Sequence, residues 1–361
     1  MAASPKTRAR SRPLPDPGST TRRVILAGDI GGTKINLALF KRVGPGRVGP
    51  PIDPESHKST EFGSFEELIE SYRGRHAGAV DAISFGVAGV VIQGRAKGTH
   101  IPWEIDGEAA SRRLGGAPVH LVNDLVAAGY AVPALAAPDL VTIHEGAPAP
   151  EANAGLISAG TGLGESILAR VAGDLIPIDS EGGHADFAPR TDDEVELFRF
   201  MRARYGRVSY ERVLSGQGLV DTARWAHERD DRGGPAAWKA HAAETPAEDL
   251  PATVSEQAIA GVCRWCAEAL DLFVSAYGAE AGNLALRGMT RAGIYLGGGI
   301  APKILPALKG ERFLRAFRDK DLHAELLGRI PVYVIRNQQA SVLGAARYAT
   351  LEACGPSRPS L

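Results

Sequence analysis

Asp124 is the residue whose place in the sequence most clearly indicates chemistry. It follows a short apolar run, residues 119–122, which predicts a buried strand, and it precedes an Ala-rich segment of helical character. Ligands of open α/β sheets bind at the carboxyl ends of strands, so a carboxylate there is a candidate catalytic group. An Asp in this position can also cap the next helix, and this stretch alone favours the cap.

Three further side chains, Glu181, His184 and Glu211, are suited to binding a ligand that carries hydroxyl groups. Two glycines separate Glu181 from His184, and Glu211 follows in the segment 209–216. A carboxylate can accept hydrogen bonds from two neighbouring hydroxyls, as the recognition of a sugar requires. A metal site is the alternative, because His and carboxylates also bind metals. Against it, no Cys lies near His184 and the sequence has no His-x-x-x-His pair.

Glycine turns that directly follow apolar runs could hold phosphate groups. Their backbone N–H groups can bind an oxyanion, and glycine is needed because a Cβ would block the approach of phosphate. A hairpin turn without a ligand is the alternative for each turn alone. Together the turns predict a protein that binds a polyphosphate and its nucleoside from two sides. The residues concerned are Gly28, Asp29, Ile30, Gly31, Gly32 and Thr33 in the first turn, Gly160, Thr161 and Gly162 in the second, and Gly297, Gly298 and Gly299 in the third.

The elements that must position these groups follow from the apolar pattern around them. The first two glycine turns each lie between two strand-like runs, which predicts an internal duplication with two halves facing each other across a cleft. Further predictions are a helix over 65–72, a strand over 82–88, a helix that starts at Ser255 and ends at Gly278, and a helix over 340–351.

Two features have more than one interpretation. Trp103 follows Pro102 in a polar loop, where it could line a sugar site or pack the loop onto the core. The pair Cys263-x-x-Cys266 lies on the apolar stripe of a predicted helix. That placement favours core packing over a redox or zinc role.

The composition excludes several classes of protein. The chain has 361 residues, enough for two domains, and a net charge of −1 provides no field for nucleic acid or an anionic membrane. No apolar run approaches the roughly 20 residues that a membrane span needs. Three cysteines are too few for a disulfide scaffold, which favours a reducing, cytoplasmic setting.

Residues 1–23 are rich in Arg, Ser and Pro, which predicts a disordered tail. An organelle transit peptide is less well supported, because these residues lack an amphipathic apolar face.

Taken together, these segments resemble the bacterial glucokinase family of actin-like, hexokinase-type sugar kinases. The resemblance extends from about Val24 to about Ala349. It implies an enzyme that uses ATP and Mg²⁺ to phosphorylate glucose at its 6-hydroxyl. Its most specific segments are residues 28–33, 122–124, 160–164, 181–189, 211–216 and 297–302.

The resemblance also implies a role for each candidate residue. Asp124 matches the catalytic base of the family, which takes the proton from the sugar 6-hydroxyl. The sugar-binding positions match Asn123, Glu181, His184 and Glu211. The first two glycine turns match the phosphate loops, and the third lies where the family holds adenosine. No direct metal ligand is implied, but Asp29 is placed to order the water shell of Mg²⁺.

The sequence departs from the family pattern at two positions. His100 stands where Asn is usual, which affects the expected outer contacts of the sugar, and Lys34 stands after the first glycine turn, where a small or polar residue is commoner. A kinase for another hexose or an amino sugar is therefore an alternative.

Two other classes of protein are less well supported by the sequence. Relatives in the repressor and open-reading-frame kinase family carry a zinc-binding cluster of cysteines soon after the His that corresponds to His184. This chain has no Cys between His184 and Cys263. A non-catalytic sugar sensor would need a DNA-binding module, for which residues 1–23 are too short.

The expected fold is a two-domain, actin-like α/β fold of the ribonuclease H type, with a ligand cleft between the domains. Residues 24–134 and 335–361 are expected to form the small domain, and residues 135–334 the large one. A homodimer is implied by resemblance alone.

Overall fold

The computed structural model describes residues 24–75, 80–98, 103–229 and 245–352. The predicted tail and His100 lie outside the described residues. Most of the described strands belong to two six-stranded sheets, and the others form one three-stranded sheet. The strands are β1 (Val24–Ile30), β2 (Lys34–Gly44), β3 (Arg47–Val48), β4 (Ile52–Lys58), β5 (Ala82–Val87), β6 (Gly89–Ile92), β7 (Arg95–Gly98), β8 (Glu104–Asp106), β9 (Val119–Asn123), β10 (Leu140–His144), β11 (Ala154–Ala159), β12 (Leu163–Val171), β13 (Asp174–Pro177), β14 (Gly293–Gly297) and β15 (Val332–Ile335).

The helices pack on the faces of these sheets and complete the core. Their positions confirm the helices predicted near residues 65–72 and 340–351. None of the helices in the described part of the chain is long and apolar enough to cross a membrane. The helices are α1 (Phe65–Arg75), α2 (Gly107–Arg113), α3 (Asp124–Ala131), α4 (Asp192–Tyr205), α5 (Gly216–Arg229), α6 (Leu250–Ile259), α7 (Arg264–Gly288), α8 (Leu305–Leu308), α9 (Glu311–Arg318), α10 (Ala324–Gly328) and α11 (Ala340–Glu352).

The first six-stranded sheet brings the first glycine turn next to Asp124. Its strand order is β3-β2-β1-β5-β9, with β4 paired to β2. β1 and β2 form the antiparallel hairpin around the turn, and β1, β5 and β9 run parallel. Ile30 is in register with Val87, and Val87 is in register with Asn123. The carboxyl ends of these three parallel strands therefore meet at one edge, where Asp29 and Asp124 lie.

The second six-stranded sheet repeats this pattern around the second and third glycine turns. Its order is β10-β15-β14-β11-β12-β13, in which β11 and β12 form an antiparallel hairpin and β11, β14 and β15 run parallel. A hairpin followed by two parallel strands is thus found in both sheets. This common order supports the internal duplication that the glycine turns predict.

The carboxyl-terminal helix α11 packs against the first sheet. Val342, Ala345, Ala346 and Ala349 of this helix are buried in one cluster with Ile25, Ala27 and Ala38 of the first hairpin. Gly344 lies against α3, where a Cβ would be 1.7 Å from the Ala127 carbonyl oxygen. Close approach of α11 and α3 therefore depends on a residue without a side chain.

The helix predicted from Ser255 to Gly278 is wrong in both its continuity and its end. Two helices, α6 and α7, occupy this region, and α7 continues to Gly288, where Met289 adopts the left-handed conformation. Gly278 lies in the interior of α7, at the point where the backbone of α9 passes over the helix. A Cβ at Gly278 would be 2.2 Å from the Phe313 carbonyl oxygen, so this glycine allows helix packing and does not end the helix.

The two cysteines at the start of α7 are buried, as the core-packing interpretation predicts, but they are also joined by a disulfide. Cys263 is the N-cap of α7, and its sulfur accepts a hydrogen bond from the Cys266 backbone N–H. Cys263 has an extended backbone conformation directly before α7, and the two Cα atoms lie 5.2 Å apart, which is within the range for a disulfide. The core-packing interpretation is therefore confirmed, and the disulfide is a feature that the apolar stripe did not predict.

Trp103 packs the loop before β8 onto the core. Its indole N–H donates a hydrogen bond to the Phe62 carbonyl oxygen at 3.0 Å, and its ring lies 6.5 Å from the Phe65 ring. The side chain belongs to the hydrophobic cluster of the first sheet. These contacts favour the structural interpretation of Trp103 over a place in the sugar site.

Candidate active site

Asp124 is the first residue of α3, directly after the carboxyl end of β9. The N-cap of this helix is Asn123, whose Oδ1 accepts hydrogen bonds from the backbone N–H groups of Leu125 and Val126. The interpretation of Asp124 as the cap is therefore wrong, because the chain enters the helix one residue earlier. Asp124 Oδ1 also accepts from the Leu125 N–H at 2.9 Å, which fixes the carboxylate at the helix N-terminus.

Most of the hydrogen-bonding capacity of the Asn123 side chain is taken up by bonds within the protein. Its Oδ1 caps α3, and its Nδ2 donates to the Gly89 carbonyl oxygen at 3.1 Å. A primary amide has two N–H donors, so one of them stays available for a ligand. The predicted sugar contact of Asn123 is thus limited to that donor.

The electrostatic environment makes Asp124 a stronger base than an ordinary aspartate. Burial raises the pKa of its carboxyl group, and the negative charge of Glu181 raises it further, although hydrogen bonds from the Leu125 N–H and other local groups oppose this. Burial together with the charge of Asp124 raises the pKa of Asp29 to about 7. The two aspartates therefore influence each other at the edge of the first sheet.

Gly86 allows these two carboxyl groups to approach each other. It lies near the carboxyl end of β5, between β1 and β9. A Cβ at this position would be 3.5 Å from Asp29 Oδ1, 3.4 Å from the Asp124 Cα and 2.9 Å from the Ala127 Cβ. Sequence reasoning did not include Gly86 in the site. The available signal was a glycine at the end of a buried strand, which often marks a close approach of backbone or ligand.

Glu181, His184 and Glu211 lie together, as their spacing and chemistry predict. His184 Nε2 is 3.9 Å from Glu181 Oε2, and His184 Nδ1 is 3.8 Å from Glu211 Oε1. These three residues, which we call the sugar clamp after their predicted role, are between 29% and 77% exposed, so a ligand can reach them. Besides burial, the charge of Glu181 raises the pKa of Asp124, so the sugar clamp lies within electrostatic range of the candidate base.

The sugar clamp is tied to the second glycine turn. Glu211 Oε2 accepts a hydrogen bond from the Leu163 N–H at 3.1 Å, and a Cβ at Gly162 would be 2.6 Å from the same oxygen. Gly164, two residues later, leaves room for the Leu125 side chain of α3, which lies 2.9 Å from its Cβ position. The helix that begins at Asp124 is therefore packed directly on the second glycine turn.

The three glycine turns differ in how open they are. Gly31 closes the first turn by donating to the Lys34 carbonyl oxygen at 2.9 Å. In the second turn, the Gly160 carbonyl oxygen accepts from the N–H of Gly216, the first residue of α5, while the Cβ position of Gly160 faces open space. The open side of Gly160 beside a helix N-terminus suits a phosphate group.

The third glycine turn packs against the second. Gly298 has a φ of +80°, and a Cβ there would be 2.2 Å from the Ala159 carbonyl oxygen. Gly299 is open to solvent. The predicted phosphate and adenosine turns of the second sheet are thus neighbours, as a single bound nucleotide would require.

Mg²⁺ fits the acidic groups at the edge of the first sheet. The ion is usually bound through one or two carboxylates, several waters and the phosphates of its nucleotide. Asp29 and Asp124 supply the carboxyl groups. Burial, and then the charge of Asp124, raise the pKa of Asp29, so a cation nearby would offset part of that effect. The described residues contain no group of three or more His, Cys, Asp or Glu side chains arranged to hold a metal by themselves.

Comparison with known proteins identifies the family. The profile of the glucokinase family matches residues 26–352. The chain belongs to the glucokinase family. Its relatives include glucokinases from Nostoc sp. PCC 7120, 37% identical over 90% of this chain and 98% of the relative, and from Synechocystis sp. PCC 6803, 36% identical over 89% and 96%. The coverage shows that nearly the whole glucokinase length is shared.

Solved structures agree with this family assignment. A glucokinase from an Antarctic psychrotroph is 27% identical and has a TM-score of 0.78, with 90% of this chain and 98% of that chain covered. A glucokinase from Balamuthia mandrillaris in complex with glucose has a TM-score of 0.71 at 19% identity, covering 93% and 95%, and shows the common fold. The expected two-domain, actin-like α/β fold is therefore confirmed.

Proposed function

We propose that this glucokinase family member transfers the γ-phosphoryl group of ATP to the 6-hydroxyl of glucose, with Asp124 as the general base. The observation that supports this best is the convergence of Asp124, the sugar clamp and the second glycine turn at one place. Glucokinase is the name of the relatives that span nearly the whole chain. A related structure of the repressor-type family from Streptomyces griseus contains glucose and AMPPNP.

The chemistry begins with the orientation of the sugar. The carboxylates of Glu181 and Glu211 accept hydrogen bonds from sugar hydroxyls, and His184 between them contributes a ring nitrogen. Asp124 accepts the proton of the 6-hydroxyl while that oxygen attacks the γ-phosphorus. The bond from the γ-phosphorus to the bridging oxygen breaks, and ADP leaves with the bond pair. Positioning of this kind supplies most of the rate in phosphoryl transfer.

The nucleotide is held between the two sheets. The backbone N–H groups of the first and second glycine turns bind the phosphates, and the third turn holds the adenosine. Asp29, which lies close enough to Asp124 for their charges to interact, would hold Mg²⁺ through a water molecule, and the ion would neutralise charge on the phosphates.

The two proposed domains are each built around one of the six-stranded sheets. The described residues of the segments 24–134 and 335–352 form the small domain, the described residues between 135 and 334 form the large domain, and the cleft between them holds both substrates. The packing of α11 on the first hairpin supports the return of the carboxyl-terminal segment to the small domain. The functional form is a cytoplasmic homodimer.

A coupled assay on purified protein tests the activity directly. ATP-dependent formation of sugar phosphate is measured with glucose, mannose, fructose, glucosamine and N-acetylglucosamine as acceptors. Glucose is expected to give the highest kcat/KM. A clear preference for an amino sugar would reassign the substrate, and the absence of phosphorylation with every acceptor would overturn the proposed function.

A further inference from the structure

A buried pair of carboxyl groups lies directly beneath the sugar clamp. Glu165 on β12 and Glu280 on α7 are almost fully buried, with 1% and 0% of their surface exposed. Arg287 of α7 donates to Glu165 Oε2 at 2.9 Å and also to Glu280. A single guanidinium thus serves two carboxyl groups, although charges are rarely buried without full compensation.

This buried pair contacts both turns that carry the sugar clamp. Glu165 Oε2 lies 3.0 Å from the Cβ position of Gly182, which is between Glu181 and His184. On the other side, Asn283 donates to Glu280 Oε2 at 2.8 Å and to the Tyr210 hydroxyl at 3.1 Å. Tyr210 directly precedes Glu211. The same small network therefore supports all three residues of the sugar clamp.

The two turns are also bonded to each other above the pair. The Tyr210 N–H donates to the Ala185 carbonyl oxygen at 2.9 Å, and Asp186 forms an isolated β-bridge with Ser209. A displacement of Glu165 would therefore move the turn of His184 and the turn of Glu211 together. Glu165 Oε1 is buried and has no hydrogen-bond partner among the described residues, so this carboxyl group is not held in place on all sides.

We propose that Glu165 is a positioning residue that sets glucose affinity, because it holds the sugar clamp in place as a neutral carboxylic acid paired with Glu280. This inference rests on the proposed function. A neutral Glu165 can donate its proton to Glu280, while Arg287 balances the single remaining charge. When Glu165 ionises, two negative charges face each other beneath Gly182 and push the turn of Glu181 and His184 away from its position.

The surroundings of Glu165 determine the pH at which this change occurs. Burial, and then the charge of Glu280, raise the pKa of Glu165 to about 8, against the opposing effect of Arg287. The phenols of Tyr210 and Tyr277 face the pair from the neighbouring turn and from α7, and burial raises the pKa of both above the ordinary range. Lys320 and Arg190 act on the same part of α7 from farther out. The parent protein therefore loses glucose affinity as the pH rises through the pKa of Glu165.

The test compares the parent with Glu165→Gln by calorimetric titration with glucose on both sides of that pH. Gln has the shape of the neutral acid but cannot ionise. Coupling within one hydrogen-bonded network suggests that the parent Kd rises roughly three- to tenfold at alkaline pH. The variant is expected to match the parent near neutral pH and to show no alkaline rise, with kcat at saturating glucose nearly unchanged. The exposed change Glu151→Gln is the control and should keep the parent profile.

A second variant keeps the inference testable if Glu165→Gln fails to fold. Glu280→Gln leaves Glu165 paired with Arg287 alone, so Glu165 can stay ionised and the alkaline rise in Kd should again disappear. An alkaline rise that persists unchanged in the folded variants would overturn the role of Glu165 without affecting the proposed function. Failure of the parent to phosphorylate any sugar would overturn the proposed function, whereas glucose titration would still test Glu165.

Discussion

Asp124 and Asn123 are neighbours in sequence but perform different tasks. Asn123 caps α3 with its side-chain oxygen, whereas Asp124 carries a carboxyl group whose pKa is raised by burial and by the charge of Glu181. A base acts on the rate of reaction, whereas a cap acts on the free energy of unfolding. The two roles can therefore be separated by replacing each residue in turn.

Asp124→Asn is expected to lower kcat for glucose phosphorylation by roughly 10²- to 10⁴-fold, because the general base is lost. The melting temperature and ATP affinity should stay close to the parent values, since the cap is supplied by Asn123. Steady-state kinetics, thermal denaturation and ATP titration measure these quantities. A correctly folded variant that turns over glucose at nearly the parent rate would show that Asp124 is not the base.

Glu211→Gln tests the sugar clamp at the residue scale. The variant keeps the size of the side chain and can still accept from the Leu163 N–H, but it loses the charged acceptor. Hydrogen bonds to charged groups contribute roughly 1.5–3 kcal/mol, so glucose affinity should fall about ten- to more than hundredfold. Calorimetry with glucose and with ATP measures both affinities. Weaker ATP binding with unchanged glucose binding would contradict this assignment.

At the scale of elements, the parallel strands and the helix that follows them place the site. The edge that carries Asp29 and Asp124 forms because β1, β5 and β9 end in register, and α3 begins immediately after Asn123. Small residues set how closely the elements approach. Gly164 admits Leu125 of α3, and Gly344 admits the backbone of α3 itself.

The cap of α3 gives a prediction at this scale. Asn123→Ala removes the side-chain acceptor for the Leu125 and Val126 N–H groups and should lower the free energy of unfolding by about 0.5–2 kcal/mol. Chemical denaturation of the parent, this variant and Asp124→Ala measures the effect, with the last as the comparison for loss of the neighbouring side chain. A larger loss of stability in Asp124→Ala than in Asn123→Ala would assign the cap to Asp124 after all.

At the scale of the whole molecule, the proposed base and the proposed sugar clamp come from different sheets. Asp124 follows the last strand of the first sheet, whereas Glu181, His184 and Glu211 lie on turns that are bonded to the second. We therefore expect a sugar that contacts both sides to draw the two sheets closer together. Closure of this kind excludes water and limits the hydrolysis of ATP.

Glucose is therefore expected to reduce the radius of gyration of the protein. Small-angle scattering with and without saturating glucose measures the change, and calorimetry on the same sample verifies saturation. Glu211→Gln at a glucose concentration of about ten times the parent Kd is the control, since about half or more of its sites should remain empty and its radius should change less. A radius that stays constant in the glucose-saturated parent would argue against closure.

The sequence by itself determined the local chemistry of the site. Glycine turns after apolar runs, a carboxylate at a strand end and the Glu/His segments are local patterns, because backbone conformation and hydrogen-bonding capacity depend mainly on residue type. For that reason the hairpins around Gly31 and Gly160 and the position of Asp124 after β9 were predictable.

Only the tertiary structure decided how residues distant in sequence act on one another. Gly278 looked like a helix end, yet the backbone of Phe313 crosses α7 there. Cys263 and Cys266 were expected inside one helix, yet Cys263 is the extended N-cap of α7 and forms a disulfide with Cys266. Gly86 matters because Asp29 and Asp124 approach each other beside it. Glu165 matters because it is buried next to Glu280 and Arg287. Burial and close packing arise from contacts between distant segments, and no local pattern encodes them.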